Sequence, residues 1–211
     1  IYKTTTHEDP FLQNASFFAR LGSGSACRSV YGGFSLWGVN QSVAGSSDEY
    51  AVEISAQVHP IFNNLQDMIL FVDDKEKSVS SSEGHRLMAK NPYSELRFEQ
   101  ARNNTSKLIS IFRKGDLEEF INIVEYEALT LHAMMLTSFP GYFLMQPETI
   151  KIISLIRSFR EETKFPVAFT LDAGPNIHLI FPQQNQEEIL NFIQSDLITF
   201  CKGGRYLQDS V

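Results

Sequence analysis

The hydrophobic period changes three times between residues 50 and 200, and these changes limit the fold more than any other feature of the sequence. Two apolar segments, YAVEISAQV and DMILFVDD, are typical of short strands. Three longer segments between residues 92 and 164 carry apolar residues three and four apart, as amphipathic helices do. Two short apolar runs, PVAFTL and IHLIFP, then precede a helical segment, NQEEILNFIQSDLITF. This order predicts an α+β fold with helices packed on a mostly antiparallel sheet.

Helix ends are marked by the residues that usually stand there. Gly115 is expected to end the first long helix and Asp116 to cap the second. Pro147 fits the first turn of the third. A shorter amphipathic helix is predicted over residues 11–21, after Pro10. The segment SVAGSSDE, residues 42–49, has the composition of a linker, so we expect a domain boundary or a sheet crossover near residues 41–48.

The composition excludes several function classes. With 211 residues, 43% of them hydrophobic, the chain can bury a core as one large or two small domains. A net charge of −7 disfavours nucleic acid and anionic membranes as partners, and no apolar run is long enough to span a bilayer. Cys27 and Cys201 are too few for a disulfide framework and predict reduced thiols in the cytoplasm.

The segment GSGSACRS, residues 22–29, combines small residues, hydroxyls and an arginine. It has two interpretations. Gly22 and Gly24 can simply end the preceding helix. Alternatively, backbone N–H groups and the hydroxyls of Ser23, Ser25 and Ser29 approach an anion, and Arg28 adds a planar fork for a carboxylate or phosphate.

Three serines, Ser80 to Ser82, precede another helical segment. They can be an N-cap, or they can form a second anion site at a helix N-terminus. Two such sites would suit a ligand with two anionic ends.

Asp172 follows an apolar strand in LDAGPN, where it can bond its own backbone or hold a substrate hydroxyl. His132 and His178 are interpreted as hydrogen-bonded histidines rather than ligands, and no spacing of histidines and cysteines predicts a metal site. Cys27 has no neighbouring base that would make it a nucleophile.

Four motifs together resemble one family in order and in separation. They are GSGSACRS at 22–29, VSSSEG at 79–84, FP at 139–140 and LDAGPN at 171–176. This set resembles the mevalonate diphosphate decarboxylases, which belong with galactokinase, homoserine kinase, mevalonate kinase and phosphomevalonate kinase. The resemblance implies that residues 1–45 are the tail of an N-terminal domain and that residues 46–211 are a ferredoxin-like domain.

The resemblance also implies a reaction. Members use ATP and Mg²⁺ to phosphorylate the 3-hydroxyl of mevalonate 5-diphosphate, then release phosphate and carbon dioxide to give isopentenyl diphosphate. Homodimers are expected in this family. Asp172 would orient or deprotonate the hydroxyl, and Arg28 would hold the carboxylate. The implied substrate-binding residues are Ser23, Gly24, Ser25, Ala26, Cys27, Arg28, Ser81 and Ser82.

The resemblance is incomplete, because the glycine-serine ATP loop of the family is not found in these residues. We therefore expect a C-terminal portion of a longer enzyme that is inactive alone. Its exposed apolar faces would be covered by the N-terminal portion or a second copy. The alternatives are a related mevalonate-derivative kinase, a monophosphate decarboxylase, or a non-catalytic binding or assembly domain.

Overall fold

The computed structural model describes residues 10–74 and 81–210 of the chain. By internal contacts the chain divides into two compact units, Ile1–Val58 and His59–Val211. Each unit is described by itself. In the described residues no helix has the length and apolarity needed to cross a membrane.

The first unit contains one helix, two 3-10 segments and a two-stranded antiparallel sheet in its described residues. The helix α1 spans Pro10–Gly22, the first 3-10 segment spans Gly24–Val30 and the second spans Ser55–Gln57, and the strands are β1, Ser35–Trp37, and β2, Ala51–Glu53. The aromatic, β-prone segment YGGFSLWGV, residues 31–39, forms a strand of only three residues. Its neighbours Gly33 and Gly38 have φ of 77° and 118°, and such turns end the extended conformation on both sides.

Ser16 joins the three parts of this unit. Its hydroxyl donates to the carbonyl of Cys27 at 2.8 Å and accepts from the amide of Ala51 at 2.9 Å. The side chain is fully buried. A buried hydroxyl is costly unless it is bonded, and here both of its bonds lead to a different element. Ser16 therefore fixes α1 against the 3-10 segment and β2.

The second unit is larger and alternates helices with strands. Its elements are β3, Leu65–Leu70; α2, Ser81–Ala89; α3, Ser94–Lys114; α4, Leu117–Leu136; α5, Pro147–Thr163; β4, Ala168–Leu171; β5, Ile177–Pro182; α6, Gln186–Phe192; and β6, Tyr206–Ser210. The described strands form one four-stranded sheet in the order β4-β5-β3-β6, and each pair is antiparallel.

This topology is that of a ferredoxin-like domain. The chain order is strand, helices, strand, strand, helix, strand, and the first strand, β3, lies at the centre of the sheet beside the third. The predicted α+β class is confirmed. The sequence pattern missed β6, because its residues 207–209 are exposed and lack apolar alternation. β6 is an edge strand defined by pairing with β3.

The predicted helix ends are confirmed. Gly115 ends α3 with φ 76°, and a Cβ there would lie 2.6 Å from Nδ1 of His59. Asp116 caps α4 by accepting from the amide of Glu119 at 3.1 Å. Pro147 opens α5, and α5 ends at Thr163 as the pattern indicates. The last helical segment is different, since α6 stops at Phe192 and continues as a π turn.

One face of the sheet packs against α5 and the segment around α6. The core joins fully buried sheet residues to fully buried helix residues, including Met68, Phe169, Leu179, Ile152, Ile156, Ile189 and Ile193. Phe159 of α5 stacks on Phe192 of α6 with ring centroids 4.1 Å apart. Each such side chain contributes about 1.5–3 kcal/mol by burial, so this layer stabilises the strands that lead to the turn of Asp172.

A buried ion pair connects α4 to α5 and to the start of β4. Glu125 is 4% exposed and lies 2.5 Å from Nη1 of Arg160. The same guanidinium donates to the carbonyl of Val167 at 2.6 Å. Removing Glu125 would leave Arg160 without a carboxylate partner among the described residues, whereas removing Arg160 would leave Glu125 only its longer contact of 3.4 Å with Arg157. The pair therefore holds the two helices and the strand in one arrangement.

We expect Ser16→Ala to destabilise the first unit by about 1–3 kcal/mol, because the carbonyl of Cys27 and the amide of Ala51 lose their partner. The chain has one tryptophan, Trp37, which lies in this unit. Urea unfolding followed by Trp37 fluorescence measures the change. Ser29→Ala, at an exposed position, is the matched control and should change stability by less than about 0.5 kcal/mol. Equal stabilities of the two variants would contradict the role of Ser16.

Candidate functional site

The segment expected to be a loop after α1 is a 3-10 helix. Ser23 precedes it with an extended backbone, φ −153°, and the helix runs over Gly24–Val30. Ser23, Ser25 and Arg28 are exposed. In the part of the chain that the structure describes, none of these three side chains makes an internal hydrogen bond or ion pair. Their hydroxyls and guanidinium are therefore available to a ligand.

Gly24 is needed for packing. A Cβ at this position would lie 2.9 Å from Cη2 of Trp37, so the indole occupies the space that a side chain would need. No atom lies within 4 Å of the corresponding position at Gly22. Gly24 is thus required by packing within the first unit, whereas packing does not explain the glycine at position 22.

The Cys27 side chain is fully buried, while Ala26 beside it is partly exposed. Burial raises the pKa of the Cys27 thiol, although Arg28 acts in the opposite direction. A buried, protonated thiol is a poor nucleophile. Any ligand contact expected from Cys27 has to come from its main chain, whose carbonyl already accepts from Ser16. Cys27 and Cys201 are both free thiols, as predicted.

Asp172 lies directly after β4, at the start of the turn that leads to β5. The residue is exposed. Its main-chain carbonyl accepts from the amide of Gly174 at 2.8 Å. Among the described residues the carboxylate itself has no hydrogen-bond partner, so the alternative in which it bonds its own backbone is not what the structure contains.

Three elements hold this turn. The side-chain oxygen of Asn176 accepts from the amides of Val72 and Asp73, at 2.9 and 3.1 Å, just beyond β3. Thr149, in the first turn of α5, donates to the carbonyl of Pro175 at 2.8 Å. His132 of α4 contacts the carbonyl of Asp172 through Nε2 at 3.1 Å. The backbone around the carboxylate is thus fixed from β3, α4 and α5, a form of preorganisation.

His132 is a hydrogen-bonded buried histidine, as the sequence predicts, and is 2% exposed. Burial lowers its pKa from the ordinary value of 6.5, and the bond to Asp172 acts weakly against this. The neutral ring must carry its proton on Nε2, because a carbonyl only accepts. His132 is therefore a neutral donor that holds the main chain of Asp172.

The serine cluster lies partly outside the described residues. Ser80 and the residues before it are not described, and α2 begins at Ser81. The side chains of Ser81 and Ser82 are also outside the described part, so their expected contacts with a diphosphate stay predictions. In the first turn of α2, Glu83 pairs with Arg86 at 2.5 Å.

The predicted site residues fall in both units. Ser23 to Arg28 belong to the first unit, whereas Asp172 and the Ser81–Ser82 pair belong to the second. In the described residues no group of three or more histidine, cysteine, aspartate or glutamate side chains is placed to hold a metal.

Comparison with known proteins decides the family. A model described as the mevalonate 5-diphosphate decarboxylase C-terminal domain matches residues 67–208, more than half of the chain. The chain belongs to the mevalonate 5-diphosphate decarboxylase family. A second model, the diphosphomevalonate decarboxylase-like N-terminal domain, matches residues 4–51. The expected division at residues 45 and 46 stays a prediction.

Curated relatives of this family are similar over most of the chain. The chain is 33% identical over 86% of its length to the diphosphomevalonate decarboxylase of Debaryomyces hansenii, and covers 47% of that protein. It is 35% identical over 84% of its length to that of Saccharomyces cerevisiae, and covers 45% of it. The chain thus spans about half the length of the curated relatives it matches.

Solved structures of the family have the same fold. A structure described as MDDEF in complex with MVAPP, AMPPCP and magnesium has a TM-score of 0.80 at 27% identity, covering 93% of this chain and 57% of that one. The mevalonate diphosphate decarboxylase of Staphylococcus aureus gives 0.80 at 25% identity, with 95% and 58% covered.

The decarboxylase motifs located Asp172 but not the residues that hold it. Thr149 and His132 are 26 and 40 positions away from the carbonyls they bind. Their only sequence signals are a threonine in the first turn of a helix and a histidine among apolar residues. Asn176 lies within the LDAGPN motif, and its role follows from the nearby end of β3.

The lowered pKa of His132 predicts a pH dependence of stability. Below pH 6.5 His132 is protonated in the unfolded chain but stays neutral in the folded chain. The contribution of the neutral His132 to the unfolding free energy is therefore present above that pH and is lost as pH falls. His132→Gln keeps a donor without a titrating proton. We therefore expect the unfolding free energy of the variant to fall less steeply between pH 7.5 and 5.5, by at most about 1.4 kcal/mol per pH unit.

His178→Gln provides the contrast for this measurement. The hydrogen bond with Asp67 raises the pKa of His178, so the contribution of His178 to stability is present at low pH and is lost as pH rises. Removing His178 should therefore make the unfolding free energy fall more steeply as pH is lowered. Urea unfolding at several pH values measures both variants. An unchanged slope in His132→Gln would contradict a neutral, buried His132.

Proposed function

We propose that the protein containing this chain converts mevalonate 5-diphosphate to isopentenyl diphosphate, with ATP and Mg²⁺, as a carboxy-lyase of the mevalonate pathway. The observation that carries this proposal is the Asp172 carboxylate, which is exposed and unbonded within the described residues on a turn fixed from three elements. The family to which the chain belongs supports it.

In this proposal Asp172 acts on the 3-hydroxyl of the substrate. A tertiary alcohol is a hindered nucleophile, so an oriented carboxylate that accepts its proton lowers the barrier to phosphorylation. The turn around Asp172 has few ways to move, because the carbonyls of Asp172 and Pro175 and the side-chain oxygen of Asn176 are bonded to three other elements. The hydroxyl would therefore be held with little loss of orientation.

Arg28 would act on the carboxylate of the substrate. Once the phosphorylated oxygen leaves, positive charge develops at C3, and the electrons of the carboxylate C–C bond form the double bond as carbon dioxide departs. A guanidinium stays charged at any relevant pH, so it binds the carboxylate without protonating it. The exposed Arg28 has no internal partner in the described residues and is free to do this.

The two anionic ends of the substrate suit the remaining predicted residues. Ser23 and Ser25 offer exposed hydroxyls beside Arg28, and Ser81 and Ser82 begin a helix whose N-terminus favours anions. We assign the diphosphate to Ser81 and Ser82, and the neighbourhood of the substrate's reacting groups to the segment Ser23–Arg28.

ATP and Mg²⁺ are assigned to residues other than those described here. The MDDEF structure is described as holding AMPPCP and magnesium, and the relatives are about twice as long as the matched region. The exposed apolar side chains of α1 support a further covering segment, since Phe11, Phe18 and Leu21 are 74%, 67% and 62% exposed. We propose that the N-terminal portion of the enzyme covers this face, and that the enzyme is a cytoplasmic homodimer.

We expect Asp172→Asn to lower kcat by roughly 10²–10⁴-fold in the enzyme that contains the N-terminal portion, because the amide cannot accept the proton. Release of carbon dioxide from mevalonate 5-diphosphate, with ADP measured in parallel, gives the rate. Asp196→Asn, at an exposed position, is the matched control and should keep full activity. Formation of ADP without carbon dioxide by the wild-type enzyme would instead indicate a kinase.

The 211-residue chain alone should release no carbon dioxide, because the proposed ATP site lies outside it. The same assay on the purified chain tests this. Circular dichroism of the same sample ensures that inactivity is not loss of fold. Turnover by the chain alone would overturn the assignment of ATP to the N-terminal portion.

A further inference from the structure

The hydroxyl of Tyr142 is buried, and it has no hydrogen-bond partner in the part of the chain that the structure describes. Tyr142 lies in the segment between α4 and α5. Its hydroxyl oxygen is 3.1 Å from the place that a Cβ would take at Gly84, and its Cζ is 4.0 Å from the same place. In a helix the Cα–Cβ bond tilts toward the N-terminus. Tyr142 therefore packs against Gly84 on the side that faces the start of α2.

The segment that carries Tyr142 folds back on the last turn of α4. The amide of Tyr142 donates to the carbonyl of Met135 at 3.1 Å. A Cβ at Gly141 would lie 2.6 Å from the carbonyl oxygen of Leu136, so the backbone there already fills the space of a side chain. Carbonyls in the last turn of a helix have no partner within the helix, and here one of them fixes the segment. Tyr142 is thereby held at one position relative to α4.

The opposite end of α2 is also fixed to α4. Asn91, which is 4% exposed, lies just beyond α2. Its Nδ2 donates to the carbonyl of Met134 and to the hydroxyl of Thr137, both at 3.0 Å. These bonds set the C-terminal end of α2, so the contact between Gly84 and Tyr142 decides where the N-terminal end lies.

The contact with Tyr142 explains Gly84, whereas its backbone conformation does not. Gly84 lies inside α2 and is not among the described glycines with positive φ. Glycine is a poor helix former, so an alanine would favour the helix. However, a Cβ only 3.1 Å from the Tyr142 oxygen would require the hydroxyl or the helix to move by a few tenths of an ångström. The two residues are thus fitted to each other.

The Tyr142 hydroxyl does not serve the stability of the described residues. A buried hydroxyl without a partner costs free energy, and a phenylalanine would avoid that cost. Burial, and to a lesser extent the charge of Glu83, raise the pKa of Tyr142, so the hydroxyl is uncharged. What the hydroxyl provides here is its volume, which keeps the first turn of α2 at a set distance.

We propose that Tyr142 is a positioning residue for the diphosphate end of the substrate, because its hydroxyl sets where the first turn of α2 lies. This inference rests on the proposed function, which assigns the diphosphate to Ser81 and Ser82 at that turn. The free amides of a first turn point along the helix axis, so an anion that is also bound elsewhere meets them only when the turn is correctly placed. A misplacement of about 1 Å can cost roughly 10²-fold in rate. Tyr142 acts through α2 rather than through the substrate.

Gly84→Ala in the enzyme with its N-terminal portion tests this placement. We expect KM for mevalonate 5-diphosphate to rise by roughly five- to twentyfold, with kcat within about twofold of wild type. Adding Tyr142→Phe removes the oxygen and leaves Cζ at 4.0 Å, an ordinary contact distance. The double variant should therefore have a KM within about twofold of wild type. An unchanged KM in Gly84→Ala, or a raised KM that Tyr142→Phe does not restore, would overturn the proposal.

Tyr142→Phe alone separates positioning from a structural role. Since α2 loses the group that sets its distance, KM should rise by roughly two- to fivefold. The free energy of unfolding in urea, followed by circular dichroism, should not fall, because no hydrogen bond among the described residues is lost. An unchanged KM would overturn the proposal, and a fall in the unfolding free energy would indicate a structural role instead. This comparison does not need Gly84→Ala to fold.

Gly32→Ala is the matched control, because no atom lies within 4 Å of a Cβ at this exposed glycine. It should leave KM unchanged. Calorimetric binding of inorganic diphosphate to the same enzyme variants needs no turnover. Weaker binding in Gly84→Ala that Tyr142→Phe restores, in an enzyme that releases no carbon dioxide, would contradict the proposed function and leave the positioning established. Equal binding of diphosphate by all variants would overturn the positioning.

Discussion

The turn between β4 and β5 depends on the side-chain oxygen of Asn176, which accepts two amides at the end of the central strand β3. Those amides lie where β3 has ended, so the sheet no longer provides their partners. Asn176 thereby satisfies two amides just beyond β3 and fixes the turn between β4 and β5. Thr149 and His132 then bind the carbonyls of Pro175 and Asp172, which both precede this asparagine in the turn. Asp172 owes its position to backbone groups, and its carboxylate stays free.

The parts of the fold that local chemistry decides are predictable from the sequence. Gly115, Asp116 and Pro147 mark helix ends for local reasons. Gly115 adopts a positive φ, the Asp116 side chain accepts an amide of the first turn, and Pro147 lacks an N–H that would have no partner there. The strands β4 and β5 are apolar because they lie over the core. In contrast, β6 is mostly exposed and is defined by its partner β3, which no local pattern indicates.

The candidate site divides in the same way. Asp172 and Arg28 are predicted as site residues from short motifs of small and polar residues, and this assignment stays a prediction. The residues that hold Asp172 come from helices distant in sequence, and only the fold brings them to the turn. Gly24 illustrates the opposite limit. Gly24 lies in a segment suspected of binding a ligand, but the ring of Trp37 already explains why this residue is a glycine. Trp37 is 13 positions away, and no sequence pattern indicates that the two residues are in contact.

The Glu125–Arg160 pair has a mechanical consequence. Arg160 links α4, α5 and the residue before β4 at a single guanidinium, while His132 and Thr149 tie the same two helices to the far end of that strand. The strand is therefore pinned to the same helix pair at both ends. Swinging Asp172 toward or away from a bound molecule would break bonds at several elements together. The second unit therefore holds the backbone of Asp172 in one position, and any adjustment during a reaction cycle has to come from the molecule that binds or from other parts of the enzyme.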